Sequence, residues 1–206
     1  MKLIYEFIGT FFLMLTIGMT VVNTSHPEFW APVAIGSILA VMVFAGGHLS
    51  GGHYNPAVSL AIFLRKKISF ENMLWYWVAQ IAGAVAAAFI TLYLKGEPSS
   101  TPLHLDILKA LLAEFLFTFA LCFVVLNVAT VKATSGNSYF GWAIGFTVLA
   151  GAYAVGAISG GAFNPAVALG ISILNLSLWS NLWIFIVANL LGAIVAAWIV
   201  NGSHEA

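Results

Sequence analysis

Charged residues are scarce in this 206-residue chain, and that scarcity excludes most classes of soluble protein. Only 7% of the residues are Asp, Glu, Lys or Arg, whereas soluble domains carry about 25%. Hydrophobic residues make up 62% of the chain, and the mean hydropathy is +1.02. The composition therefore indicates a protein with several membrane-spanning segments. The formal net charge is zero, which gives no reason to expect nucleic acid as a partner.

Cysteine and clusters of reactive side chains are also nearly absent. The single cysteine, Cys122, lies inside an apolar run and has no partner for an intrachain disulfide. His48 and His53 have no Cys, Asp or third His nearby in the sequence to complete a metal site. The sequence shows no nucleophile–base pair and no phosphate-binding loop. It therefore predicts neither an enzyme nor a bound metal or cofactor.

Apolar runs of the roughly 20 residues that a membrane-spanning helix needs occur six times. They cover about 3–23, 31–49, 72–94, 108–130, 139–157 and 179–200. Two shorter runs, about 56–64 and 165–176, suffice only for half a crossing, because ten helical residues rise about 15 Å. The first run begins like a signal peptide, but Glu6 interrupts it and no small-residue cleavage site ends it. We therefore predict a retained membrane helix there.

A thirteen-residue stretch occurs twice, at 48–60 and 157–169, and eight of its positions are identical. Both copies carry Ser-Gly-Gly, two variable residues and then Asn-Pro-Ala-Val. Asn is a favoured helix N-cap and Pro a favoured first helical residue, so Asn55 and Asn164 are predicted to begin the two half-helices. Irregular backbone at membrane depth is tolerated only where it is buried in protein or lines a wet cavity. The repeated stretch is therefore a candidate functional site.

The repeat extends over most of the chain. Segments 78–90 and 187–199 share seven of thirteen residues at the same 109-residue offset, and Glu6 corresponds to Glu114. Each half then holds three spans and one half-helix, so the second half enters the membrane inverted relative to the first. The sequence predicts an all-α membrane protein with six transmembrane helices and two re-entrant half-helices. We expect one domain over 1–206, built from inverted repeats of about 1–97 and 103–206.

The distribution of Lys and Arg predicts the orientation in the membrane. With the N-terminus inside, five basic residues fall on the cytoplasmic side: Lys2, Arg65, Lys66, Lys67 and Lys132. Only Lys95 and Lys109 fall outside. We therefore expect cytoplasmic N- and C-termini, an external linker at 95–105, and a location in the plasma (cell inner) membrane.

The two Asn-Pro-Ala motifs, on half-helices within inverted three-span halves, resemble the aquaporin, or major intrinsic protein, family over nearly the whole chain. The resemblance implies a passive channel for water and small uncharged solutes that excludes ions and protons. It also implies a homotetramer in the lipid bilayer. The pore centre would then be formed by the two motifs, Asn55, Pro56, Ala57, Asn164, Pro165 and Ala166.

The residues of the motifs allow the chemistry of such a centre to be derived. Each half-helix would point its positive end at mid-membrane, and the two Asn amides would face the lumen as free hydrogen-bond donors. Two positive ends would repel cations, including protons. Acceptors would come from backbone carbonyls along the two loops, at Gly51, Gly52, His53, Gly160 and Ala162.

Glu6 and Glu114 are ionisable residues within predicted spans, which marks them as candidates for function. One interpretation is a proton relay, as in a proton-coupled transporter. The other is that each carboxylate accepts hydrogen bonds from a re-entrant loop and braces it. The family resemblance favours bracing.

The chain departs from the family pattern at the outer constriction. Members of the family usually carry an arginine three residues after the second motif Asn, where this chain has Val167. Counting from the motifs places Ile35, Ala152 and Gly161 at the other filter positions, so the filter is predicted to be wide and apolar, somewhat like that of plant tonoplast members. The alternative within the same class is a facilitator mainly for glycerol, urea, ammonia or hydrogen peroxide. A structural membrane protein with a vestigial pore is disfavoured by the short loops.

Overall fold

The computed structural model describes residues 1–99 and 101–203, and every regular element within those ranges is helical. Eight α-helices follow one another: α1 Lys2–Val21, α2 Pro27–Ser50, α3 Pro56–Leu64, α4 Phe70–Lys95, α5 Ile107–Thr130, α6 Phe140–Ser159, α7 Pro165–Ile173 and α8 Leu182–Ser203. Single 3-10 turns, Lys132–Thr134 and Trp179–Asn181, precede α6 and α8. Six helices are long and apolar enough to span a membrane. The predicted fold class is confirmed.

Two predicted boundaries were wrong. The second span begins at Pro27 rather than near residue 31, because Pro27 occupies a first helical position and Glu28 a place in the first turn, both upstream of the apolar run. The second half-helix ends at Ile173 rather than near residue 176. Asn175 adopts a positive φ of 53° there, and the N–H of Leu176 donates back to the carbonyl of Ile171 at 2.9 Å.

The two halves of the sequence repeat use equivalent close helix crossings. Helix α1 packs along α4, and α5 packs along α8. A Cβ added to Gly83 would lie 2.5 Å from the carbonyl oxygen of Phe7, and one added to Gly192 would lie 2.8 Å from that of Phe115. Only glycine permits these approaches, and small residues are the usual means of packing helices closely in lipid.

Each half-helix packs mainly against a long helix of the other half of the chain. Helix α3 packs mainly against α8, and α7 packs mainly against α4. Helices α2 and α6 pack against each other across the other side of the molecule. The amino ends of α3 and α7 therefore meet in the interior, enclosed by long helices from both halves.

Basic side chains from the two predicted sides lie at opposite ends of the helix bundle. Arg65, only 1% exposed, donates to the side-chain oxygen of Asn201 at 2.9 Å, near the carboxyl end of α8. Lys95 donates to the carbonyl of Met19 at 3.1 Å, near the carboxyl end of α1. Which of these ends faces the cytoplasm stays a prediction.

Candidate functional site

The centre of the molecule is built by two loops that each lead into a half-helix. Asn55 and Asn164 are in extended conformation and cap α3 and α7: the Asn55 Oδ1 accepts from the N–H of Ala57 at 2.8 Å, and the Asn164 Oδ1 from that of Ala166 at 3.0 Å. Pro follows each Asn at the first helical position, where its missing N–H costs nothing. The N-caps predicted from the motif are present.

Each motif Asn also bonds to the loop of the other half. The Asn55 Nδ2 donates to the carbonyl of Phe163 at 2.8 Å, and the Asn164 Nδ2 donates to the carbonyl of Tyr54 at 2.9 Å. The expectation of fully free amides was therefore wrong, because one N–H of each amide joins the two half-helices. An amide carries two donors, so one N–H of each Asn remains beyond this bond.

The residue before each motif Asn has left-handed backbone. Tyr54 has φ of 48° and Phe163 has φ of 47°, and the Gly-Gly pairs upstream also have positive φ. Glycine adopts such angles freely, whereas side-chain-bearing residues rarely do. This conformation carries the chain from the end of α2 or α6 to the start of α3 or α7 across five residues.

Glu6 accepts four hydrogen bonds, three from residues 50–54 of the first loop and one from α4. Its Oε1 accepts from the Ser50 hydroxyl at 2.7 Å and from the N–H of His53 at 3.0 Å. Its Oε2 accepts from the N–H of Tyr54 at 2.7 Å and from the Gln80 amide at 2.8 Å. The side chain is fully buried, so these donors replace the water that a carboxylate otherwise requires.

Glu114 occupies the equivalent place against the second loop. Its Oε1 accepts from the Ser159 hydroxyl at 2.7 Å and from the N–H of Ala162 at 2.9 Å, and its Oε2 accepts from the N–H of Phe163 at 2.7 Å. It too is fully buried. Neither carboxylate is among the residues that line the central cavity.

The His53 side chain is buried in the first loop. Its Nδ1 lies 3.0 Å from the Ser59 hydroxyl, and its ring packs edge-on against Tyr76. The other histidine, His48, is exposed at the end of α2. Within residues 1–99 and 101–203, no three His, Cys, Asp or Glu side chains group as a metal site would require.

A narrow cavity of about 80 Å³ runs past both motif asparagines. All four predicted filter residues line it, Ile35, Ala152, Gly161 and Val167. Of the residues predicted to supply carbonyl acceptors to the wall, Gly52, His53, Gly160 and Ala162 line it. Gly51 does not, and instead ends α2 as its C-cap.

The cavity opens into a wider space of about 500 Å³ next to the linker between the halves. Ile35, Ala152 and Gly160 line both spaces, and Tyr153, Thr101 and Leu103 line the wide one alone. Of the predicted filter residues, Ile35 and Ala152 therefore lie where the two spaces adjoin, and Gly161 and Val167 line the smaller space alone. Other aliphatic side chains line the same space: Leu13, Ile17, Val21, Leu39, Val58, Leu121, Val125, Ile144, Val148 and Ile171.

Sequence reasoning missed the polar supports on α4. The Tyr76 hydroxyl donates to the carbonyl of Ser50 at 2.7 Å, the Trp77 indole donates to that of Pro56 at 2.9 Å, and Gln80 reaches Glu6. A polar residue inside an apolar span was the available signal, and Gln80 is such a residue.

Proteins of known family share the sequence of this chain, and a solved structure shares its fold. The family model described as major intrinsic protein matches residues 1–200. Aquaporin NIP1-1 of Oryza sativa subsp. japonica is 36% identical over 210 residues, covering 97% of this chain and 73% of that protein. Nodulin-26 of Glycine max is 34% identical over 209 residues, covering 97% and 76%. The X-ray structure of the aquaglyceroporin from Plasmodium falciparum matches with a TM-score of 0.80 at 22% identity, covering 97% of this chain and 94% of that one, and supports the fold alone.

Proposed function

The chain belongs to the major intrinsic protein family, as a multi-pass membrane channel for water and small solutes and not an enzyme, and we propose that it conducts small uncharged solutes passively while excluding ions and protons. The observation that carries this proposal is the meeting of two half-helix amino ends, Asn55 and Asn164, at one narrow cavity. Each helix end carries about half a positive charge, which repels cations from the centre of the path.

The remaining N–H of each motif amide is the donor that we assign to the passing solute. A water that accepts from both amides has its oxygen fixed at the centre, and its hydrogens point away along the passage. Carbonyls of Gly52, His53, Gly160 and Ala162 then serve as acceptors on an otherwise aliphatic wall. This arrangement interrupts a continuous chain of donated hydrogen bonds, which is what proton hopping needs. Pro56, Ala57, Pro165 and Ala166 position the two amides.

Asn164→Asp tests the pore centre. The substitution places a negative charge beside two positive helix ends and removes the donor to the carbonyl of Tyr54, so we expect lost water flux or new cation permeability. Stopped-flow light scattering and ion flux in proteoliposomes measure both. Asn127→Asp is the matched control, because the Asn127 amide bonds only within its own helix, to the carbonyl of Phe123. Native water flux and ion exclusion in a folded Asn164→Asp protein would overturn the assignment.

The filter residues support a broader solute range than water alone. Ile35, Ala152, Gly161 and Val167 bring no charge to the narrowing, and a multi-donor arginine is absent from the position of Val167. A solute of glycerol size sheds less of its water at a wide opening. We propose that at least one solute larger than water, glycerol or urea, permeates.

Val167→Arg tests this selectivity. We expect glycerol or urea flux to fall about tenfold or more, equivalent to at least about 1.4 kcal/mol, and water flux to fall less. Val167→Leu adds bulk without charge and separates the two effects. A native protein that conducts water and rejects glycerol, urea and ammonia alike contradicts this view of the filter.

The contacts of Glu6 and Glu114 support bracing over proton transport. Both carboxylates are fully buried, both are occupied by loop donors, and neither lines the cavity. We propose that each fixes its loop and takes no part in the movement of protons. Solute uptake that follows an imposed pH gradient would favour the transporter instead.

We further propose one channel domain of two inverted repeats, assembled as a homotetramer in the plasma membrane with both termini in the cytoplasm. The grouping of Arg65 with the carboxyl end of α8 supports the common side for basic residues and C-terminus. Accessibility of a C-terminal tag in sealed vesicles tests the orientation, and the mass of the detergent-solubilised complex tests the assembly.

A further inference from the structure

The two bracing carboxylates are equivalent in the repeat but differ in the donors that surround them. A carboxylate presents about four acceptor sites. At Glu6 all four are used, and the fourth donor is the amide of Gln80, 2.8 Å from Oε2. At Glu114 the described residues supply three donors, and Oε2 receives only the N–H of Phe163.

The residue that corresponds to Gln80 is Asn189. Both lie three residues before the glycine of the close helix crossing, Gly83 or Gly192. Asn is shorter than Gln by one methylene, and its side-chain oxygen accepts from the Thr118 hydroxyl at 2.9 Å.

The other end of the Asn189 amide, Nδ2, is buried and has no hydrogen-bond partner within the described part of the chain. Turning the amide over leaves its oxygen in the same position instead. Either orientation leaves one polar atom of a fully buried side chain unpaired, which proteins rarely tolerate without a water. The Oε1 of Gln80 is also unpaired among the described residues, so the difference between the halves lies in the fourth acceptor site of Glu114, which no described side chain fills.

The second half also has smaller side chains at this place. In the first half, four side chains connect the loop to α4 by hydrogen bonds. They are the His53 ring, the Ser59 hydroxyl, the Tyr76 hydroxyl and the Gln80 amide. At the equivalent positions the second half has Ala162, Ala168, Phe185 and Asn189. All four are smaller, by an imidazole ring, two hydroxyls and a methylene.

We propose that a buried structural water occupies this place, accepting from the Asn189 amide and donating to Oε2 of Glu114. A buried water needs two to four polar partners, and these two groups supply the required pair. The water does for the second loop what the longer Gln80 does directly for the first. It is a fixed part of the protein wall and is separate from the solutes that pass along the cavity, so it does not depend on which solutes the channel conducts.

The first test is a crystal structure of the native protein at a resolution that reveals buried waters. We expect one water within hydrogen-bond distance of both the Asn189 amide and Glu114. Its absence, or a protein atom as the fourth partner of Glu114, overturns the proposal. This test needs no variant to fold.

Paired substitutions exchange the direct amide bond of the first half and the proposed water of the second half. Asn189→Gln gives the second half the longer amide, so we expect the amide nitrogen to reach Glu114, the water to be displaced, and the melting temperature to be kept or raised. Gln80→Asn is the converse, and we expect it to gain a water beside Glu6. Asn189→Leu removes the amide and leaves the Thr118 hydroxyl without its acceptor, so it should lower the melting temperature. A water that persists unchanged in Asn189→Gln contradicts the assignment.

Discussion

Glu114→Gln is the substitution that best separates the proposed brace from a proton relay. Gln has nearly the shape of Glu but offers one acceptor oxygen and one NH2 group. The native carboxylate accepts from two backbone groups, the N–H of Ala162 on Oε1 and the N–H of Phe163 on Oε2. Whichever way the Gln amide is placed, its NH2 group faces one of these donors. The variant therefore leaves one buried N–H without its acceptor.

The cost follows from that count. An unpaired buried donor costs about 1–3 kcal/mol, and loss of the buried negative charge offsets part of it, because a neutral amide is cheaper to desolvate. We expect Glu114→Gln to lower the free energy of unfolding by about 1–2 kcal/mol. Glu114→Ala leaves both N–H groups unpaired and opens a cavity, so it should cost about 2–6 kcal/mol.

The assay combines denaturant unfolding in detergent with solute flux in proteoliposomes, with and without an imposed pH gradient. Flux through Glu114→Gln should fall modestly, because the loop that carries Gly161 is less firmly held, and it should ignore the gradient. Glu6→Gln is the matched control, since it makes the same change against the N–H groups of His53 and Tyr54.

Two results would refute this reasoning. If Glu114→Gln costs as much stability as Glu114→Ala, the charge itself and not the number of acceptors holds the loop. If the native protein concentrates a solute along a pH gradient and Glu114→Gln abolishes that uptake, Glu114 moves protons.

Two further predictions concern packing and the first loop. Gly192→Ala should destabilise the protein by about 1–3 kcal/mol, because the added methyl meets the carbonyl of Phe115. Gly202→Ala is the control in the same helix and should be neutral or stabilising, because nothing lies within 4 Å of the added Cβ. Equal melting temperatures for the two variants would contradict the close crossing. Tyr54→Phe removes the hydroxyl that donates to the carbonyl of Met42 at 2.9 Å and should cost about 1 kcal/mol without changing the ratio of glycerol to water flux, which the same vesicles measure.

Several features of this protein were predictable because they depend on residues close together in the chain. A run of apolar residues long enough to cross a bilayer is visible in any window of about 20 residues, and the six predicted spans match the six long helices. The caps at Asn55 and Asn164 involve donors two and three residues away. The sequence repeat also pointed to Glu6 and Glu114 as a pair, 108 residues apart, although only their contacts supply a reason for the pairing.

The tertiary structure decided the features that join distant parts of the chain. The Asn55 amide donates to the carbonyl of Phe163 and the Asn164 amide to that of Tyr54, across 108 and 110 residues. From the motifs alone, both amides were expected to be free donors. Gln80 and Asn189 occupy matching places in the repeat, yet only Gln80 reaches its carboxylate. A local pattern fixes which residues start a helix, but the length of one side chain and the space left by its neighbours determine whether a hydrogen bond forms. Those distances exist only once the helices are packed.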